Sequence, residues 1–313
     1  RSATKTDTPV IETPQSVSVV SREDWEEKGA RTVQRAASYT PGVGTNQVGS
    51  SNRYDYLILR GFSDGSINNT YLDGLRVMND GGSYSSFAID PWFLERIEIV
   101  KGPTSVLYGQ GSPGGIVALT SKRSEFRDGG EIRVSLGNNA QRSFAFDVTG
   151  PVDDEQRVAF RVTGIASAAD AQQDHVELDR RAIAPSLTWD MTDDTSVTLL
   201  AYLQRDPEGG YHSGLPYEGT VESRDGQKID NTFFEGEPDY DLFRRDMTMV
   251  GYDLEHRINR NWSALQKARY LDSDVAWNQL YASACASATQ LTRSHSARDH
   301  DLHPLTLHHH PQP

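Results

Sequence analysis

From Gly130 onward the chain repeats segments of about ten residues in which apolar and polar side chains alternate, the mark of strands with one apolar face. Glu131 to Leu136 sets Ile132, Val134 and Leu136 against charged and hydroxyl residues. Ser143 to Thr149 sets Phe144, Phe146 and Val148 against Ala145, Asp147 and Thr149. Val158, Phe160 and Val162 then alternate with Ala159, Arg161 and Thr163, and further candidates are Arg181 to Met191, Ser196 to Gln204, Asp246 to Ile258 and Trp262 to Val275. Period two excludes a helix, so this half must be antiparallel β structure whose apolar face is covered by something. A second sheet would cover it in a soluble sandwich. Hydrocarbon would cover it in a transmembrane barrel, which strands of about 9–11 tilted residues can cross. The connections favour the barrel: short turns at Thr192 to Asp194 and Asn259 to Asn261 alternate with long polar loops expected over Ala168 to Asp179 and Arg205 to Arg245.

The first 120 residues obey different rules. Ser16 to Val20 alternates as a strand, and Ser21 with Asp24 forms a capping signal for a short helix over Arg22 to Lys28, stopped at Gly29. Arg31 to Ser38 reads as a second helix with Thr32 as its cap, ended by Pro41-Gly42. Strand-like runs follow at Tyr56 to Arg60, Thr70 to Leu72, Ile97 to Lys101 and Ile116 to Ser121, separated by glycine-rich turns. The expected organisation is a mixed α/β domain over 1–122, the first strands of an antiparallel barrel over 123–282, and an irregular, His- and Pro-rich tail over 283–313 that has the look of a frame-altered end. A globule of about 120 residues has a radius of gyration near 13–14 Å, and about 18–22 tilted strands are needed to enclose it. The seven strands counted cover about a third of that perimeter, so the barrel is expected to be truncated here. Arg1 without an apolar leader suggests a removed signal peptide or a fragment.

Composition removes several function classes. A net charge of −13 argues against nucleic acid, which needs a basic stripe. No run approaches the roughly 18 apolar residues of a transmembrane helix, which says nothing against strands. The lone Cys285 leaves the redox compartment unreadable. Gly109 to Gly114 satisfies G-x-G-x-x-G, but Gly115 opens a strand-like run where dinucleotide binding needs a helix, so the glycines are read as turn and close-packing positions. With no nucleophile elbow, H-E-x-x-H or paired C-x-x-C, no catalytic residue is assigned and no enzyme is expected. His308 to His310, with His300 and His303, are read as a flexible tail, and no metal site is assigned.

Long stretches carry a family resemblance: KTDTPVIETPQSVSVVSRED (Lys5 to Asp24), SYTPGV (Ser38 to Val43), YDYLILRGF (Tyr54 to Phe62), YLDGLRV (Tyr71 to Val77) and Ile89 to Arg123. The front domain resembles the plug of TonB-dependent ferric-siderophore receptors of the Gram-negative outer membrane. AIAPSLTW, YHSGLPYEGTVE and MVGYDLEH are similar to receptors of the ferrichrome, hydroxamate type. The resemblance implies a 22-stranded barrel closed by the plug, a ferric siderophore as cargo, power from the TonB complex of the inner membrane, outer-membrane lipid around a monomer, and no resident cofactor. Nothing before Lys5 resembles a TonB box. By position in the family's motifs, Gly65 and Ser66 fall near the plug-apex ligand contacts, Tyr84 at an aromatic contact, and Tyr211 and His212 at the aromatic ligand pocket. Val48 stands where an arginine is expected and Gly214 where a tryptophan is, which points away from ferrichrome itself toward a related hydroxamate. Ferric ion takes oxygen donors that the siderophore already supplies, so recognition falls to aromatic faces and a few hydrogen-bond donors. The charged set Arg60, Glu95, Arg96, Glu98 and Lys101 is expected to pair or stay hydrated against an enclosing wall, leaving a polar, wet seam. A passive porin-like barrel with a stopper, or a receptor for haem, cobalamin or another metal chelate, stays open as an alternative.

Overall fold

Ser16–Ser21 forms β1, and its last residue caps helix α1 (Arg22–Glu27) in a full capping box. The Asp24 amide donates to Ser21 Oγ (3.4 Å), and the Ser21 amide donates to Asp24 Oδ2 (2.8 Å). Ser21→Ala is therefore expected to cost about 1 kcal/mol. Chemical unfolding of the full-length receptor followed through Trp25, which is buried in α1, reads this, and an unmoved midpoint would show the cap to be dispensable. Thr32 caps the one-turn helix α2 (Val33–Ala36), where the Arg35 amide donates to Thr32 Oγ1.

The computed structural model describes residues 9–45, 55, 57–62, 69–77, 87–103, 105–109, 111–209, 214–287 and 290–312. In the front domain, β2 (Val43–Gly44) pairs with β3 (Ile58–Leu59). A five-stranded sheet has the order β1-β6-β7-β4-β5, with β4 (Thr70–Leu72), β5 (Leu75–Arg76), β6 (Leu94–Lys101) and β7 (Gly115–Ser121). Helix α3 (Ser105–Tyr108) lies between β6 and β7. Because β7 follows directly on Gly114, the glycine motif ends in a strand and not in the helix a dinucleotide would need. The core is made by Leu57, Leu59, Leu94, Ile97, Ile99 and Leu119, all fully buried.

The second sheet has nine antiparallel strands. Its order follows the chain from β8 (Gly129–Leu136) through β9 (Arg142–Pro151), β10 (Val158–Asp170), β11 (Glu177–Thr192), β12 (Thr195–Gly209), β13 (Leu242–Arg257) and β14 (Ser263–Ser287). The loop expected over Arg205 to Arg245 begins only after Gly209 and ends before Leu242, and two further expectations change. The loop expected over Ala168 to Asp179 shrinks to 171–176, because the β10–β11 ladder runs on to Asp170 opposite Glu177. The 283–313 tail, expected to be irregular, is also strand: β15 (Gln290–Leu302) pairs with Ser273–Ser287 of β14, and β16 (Leu305–Gln312) with Ser263–Tyr270 of the same strand. Both have one physical reason. Ladder bonds join backbones and need no apolar alternation, so strands continue where the alternation fades. The triple histidine thus lies on β16, and among the described residues no three His, Cys, Asp or Glu side chains converge as a metal site. The end carrying 171–176 and 214–241 is called outward, and the end carrying the 193–194 turn inward.

Candidate functional site

The wall made by β8 to β14 has two unlike faces. Ile132, Val134 and Leu136 are 69–82% exposed, and Phe144, Val148, Ile183, Leu187, Leu199 and Val250 share that outer face. Trp189 and Trp262 flank the inward turns, where aromatic girdles sit in barrels. Phe144 and Val148 are 48% and 42% exposed, so no second sheet covers them, and the sandwich alternative is ruled out. The inner face carries Asp147, Arg161, Thr163, Arg180, Gln204, Asp206 and Arg245, all buried against the front domain.

Four polar anchors join that domain to the wall. At β8, Arg22 pairs with Glu131 and Arg133 with Glu26 (3.1 Å), while both guanidinium groups and Lys122 Nζ (4.1 Å) lie over the Trp92 ring. Where the two domains connect, Asp147 accepts from Arg161 at 2.9 and 2.7 Å and meets Lys122 Nζ at 3.1 Å. Burial pulls the Lys122 ammonium down to about 8 despite this partner. At the hairpin turn between β4 and β5, Arg269 donates to the carbonyls of Leu72, Leu75 and Arg76, and Lys267 to that of Asp73. Asp73 itself pairs with Arg123 and accepts from Ser121; although burial pushes its carboxyl up, these cations and donors hold it below the ordinary range.

The fourth anchor is a buried node of two guanidinium groups and three carboxylates. Arg180 Nε donates to Asp206 Oδ1 (2.9 Å) and Nη1 reaches Asp90 Oδ2 (3.4 Å), while Arg245 Nη1 lies 3.5 Å from Asp206 Oδ2. Gln204 also donates to Asp206 and accepts from Tyr202. Asp55, within the field of both arginines, accepts the Val33 and Gln34 amides at the start of α2. Burial drives the carboxyls of Asp55 and Asp90 upward, only partly offset by these donors and cations.

The seam between the anchors differs from expectation. Val20, Trp25, Ile89, Phe93 and Leu94 of the front domain share one buried cluster with Ala145, Ala182, Tyr202, Met247, Met249 and Leu271 of the wall, so part of the contact is dry. Glu98, one of the charges expected to pair or stay hydrated, pairs with Arg96 of its own strand at 2.7 Å. The wall's charged partners are Arg22, Glu26, Asp73, Asp90 and Lys122, together with Arg123 at the junction, which pairs with Asp253 at 2.6 Å. Period two already placed Asp147 and Arg161 on the polar side of neighbouring strands, where they pair with each other, but no sequence signal marks Lys122 as the cation that joins them from the front domain.

At the outward end of the seam lies a polar cavity of about 520 Å³, bounded by Arg31, Arg35, Asp90, Asn138, Arg180 and Gly209 among others. Gly65, Ser66, Tyr84, Tyr211 and His212 all lie outside the described residues. Their nearest described neighbours are Phe62 and Asn69, Val77 and Phe87, and Gly209 and Gly214. Gly209 and Asp90 border the same cavity.

A folded domain tied by buried ion pairs to the inner face of a long antiparallel sheet, with an apolar outer face, defines the class of plugged transmembrane β-barrels. Residues 9–116 match the TonB-dependent Receptor Plug Domain. The chain is 56% identical over 305 residues to the Ferrioxamine B receptor of Salmonella typhimurium (strain SL1344), covering 97% of this chain and 43% of that receptor. It is 41% identical over 280 residues to the Ferrichrome outer membrane transporter/phage receptor of Escherichia coli (strain K12), covering 89% and 37%. In fold it is similar to the pyoverdine outer membrane receptor FpvA from Pseudomonas aeruginosa PAO1 (TM-score 0.85, 22% identity, 98% of this chain and 44% of that one). It is likewise similar to the ferric-catecholate import receptor Fiu from E. coli K12 (TM-score 0.78, 23% identity, 98% and 47%). The chain belongs to the TonB-dependent receptors, outer-membrane proteins of Gram-negative bacteria, and spans about two fifths of the length of the curated relatives it matches.

Proposed function

We propose that this receptor imports a ferric siderophore of the hydroxamate type, driven by the TonB complex. The single observation that supports this most is the 56% identity to a receptor named for ferrioxamine B, running through plug and wall alike. The catecholate receptor Fiu of E. coli K12 stands at 29%. In this reading the chelate enters from the outward end and meets the segments carrying Gly65, Ser66, Tyr84, Tyr211 and His212. It brings its own oxygen ligands, so the protein needs no iron ligand, no cofactor and no catalytic group. The apolar outer face meets lipid, and the receptor works as a monomer without nucleic acid.

Tryptophan-fluorescence titration of the full-length receptor against ferric trihydroxamates, ferric catecholates and haem tests the reading. Saturable binding of a trihydroxamate is expected, weakened about tenfold or more by Tyr84→Ala or Tyr211→Ala. Preference for a catecholate or haem would reassign the cargo. Iron entry without saturation in cells lacking TonB would make the molecule a passive barrel with a stopper. His212 should make affinity fall or rise between mildly acidic and neutral pH, and an unchanged affinity would remove it from the site.

A further inference from the structure

We infer that Arg181, Arg205 and Arg244 form a docking site on the outer face of the wall for the phosphorylated headgroup of a lipid in the outward leaflet; the inference rests on that face meeting lipid. The three exposed side chains stand on adjacent strands. Arg181 of β11 lies directly opposite Arg205 of β12, and Arg205 directly opposite Asp246 of β13, so Arg244, two residues along β13 from Asp246, is diagonal to Arg205 on the same face. Like charges directly opposite each other destabilise a sheet unless opposite charge lies between them. The protein supplies little of it. Arg205 Nε is 3.8 Å from Asp246 Oδ1, and among the described residues no carboxylate pairs with Arg181 or Arg244. Beyond Asp246 the row continues into Asp274 of β14, which confines the positive excess to β11–β13. On the other side Ala166 of β10, opposite Arg181, presents only a methyl group.

Depth along the wall fits a headgroup. Reading outward, the outer face of β11 carries Trp189, Leu187 and Ile183 before Arg181, and that of β12 carries Leu199 and Leu203 before Arg205. From Met191 to Arg181 is ten residues, about 33 Å of strand and, at a tilt near 40°, about 25 Å of depth, the height of a barrel's apolar band. The guanidinium groups therefore sit where acyl chains end and phosphates begin. Each guanidinium fork can meet two phosphate oxygens at once, so opposed forks suit a phosphate between them.

The test uses the full-length receptor in an uncharged detergent, with dioleoyl phosphatidic acid and dioleoylglycerol as lipids that differ only in the phosphate. Native mass spectrometry counts bound lipid, and a thermal scan reads the unfolding midpoint. Phosphatidic acid is expected to bind about fivefold or more tighter than dioleoylglycerol and to raise the midpoint by about 2 °C or more. Arg181→Gln removes one of the two opposed charges. Without lipid it should melt at or above the unaltered receptor, because the repulsion is relieved, and with phosphatidic acid it should melt below it. Arg244→Gln, which has no ion pair to lose, should lower the preference for phosphatidic acid about twofold or more, and it decides the matter if Arg181→Gln does not fold. Inorganic phosphate at equal concentration should leave the midpoint unmoved, since it has no tails to lie on the apolar band. Equal binding of the two lipids, an unchanged preference in Arg244→Gln, or a shift with inorganic phosphate as large as that with phosphatidic acid overturns the inference. Binding of neither lipid would instead strike the lipid-facing reading on which it rests, which separates the two failures.

Discussion

Gly115→Ala is expected to prevent the plug from forming its sheet, with a loss beyond about 4 kcal/mol. Gly115 sits at φ +128°, a backbone region that L side chains rarely adopt, and a Cβ built there lies 1.9 Å from the Val100 carbonyl oxygen and 3.0 Å from Lys101 Cα. Neither side can retreat. Gly115 is opposite Lys101 and Ile116 opposite Val100 in the β6–β7 ladder, and the Gly102 amide donates to the Gly114 carbonyl at 2.8 Å. The clash is with main chain, so no rotamer change relieves it. Gly111→Ala, whose nearest neighbour would be the Gly109 carbonyl oxygen at 3.9 Å, should fold nearly as well as the unaltered receptor. Limited proteolysis and chemical unfolding of the two full-length variants check this. A Gly115→Ala receptor as stable as Gly111→Ala would mean that the close approach of β6 and β7 is wrong.

Asp147→Ala should lower stability by about 3–5 kcal/mol, because it takes the buried carboxylate from two cations at once and leaves Arg161 only the more exposed Glu125 at 3.5 Å. Arg161 loses a two-pronged partner, Lys122 Nζ loses its counter-ion at 3.1 Å, and Thr163 Oγ1 loses an acceptor at 3.3 Å. Asp147→Asn should cost less, since it keeps an acceptor. Replacing Asp147, Arg161 and Lys122 together by Leu, Met and Met should recover much of the loss, since burying no charge is often as stable as burying a pair. The pH dependence has a definite sign. Lys122 is held at about 8 when folded against an ordinary value of 10.5, so the unfolded chain binds the extra proton between those values. This group's contribution to stability therefore rises from about pH 8 to 10.5 and is flat below. Without Asp147 the folded value drops further, and the rise should begin at lower pH. Guanidinium unfolding midpoints at pH 7 and 9 read both effects, and a penalty for Asp147→Ala that grows with pH would contradict the assignment.

Much of this molecule was legible from residues close together along the chain. The capping box at Ser21 and Asp24, the Thr32 cap, the strand after Gly115 and the two-faced wall strands all rest on local rules, because a cap spans three residues and a strand's faces repeat every two. Alternation failed to show where β10, β11 and β14 end, and it missed β15 and β16. In those segments the alternation is weak or short, and the backbone ladder that carries them leaves no mark on side-chain order.

From its sequence alone the chain declares a mixed front domain, a sheet with one apolar face, and a likeness to one receptor family. Which charge meets which was decided only when the chain was folded. Arg22 and Glu131 are 109 positions apart, Asp90 and Arg180 are 90 apart, and Arg269 reaches back 197 positions to the Leu72 carbonyl. Periodicity tells an arginine to turn inward but carries no information about what waits there. That depends on how the front domain is rotated within the wall, a long-range relation that the order of side chains along a strand does not record.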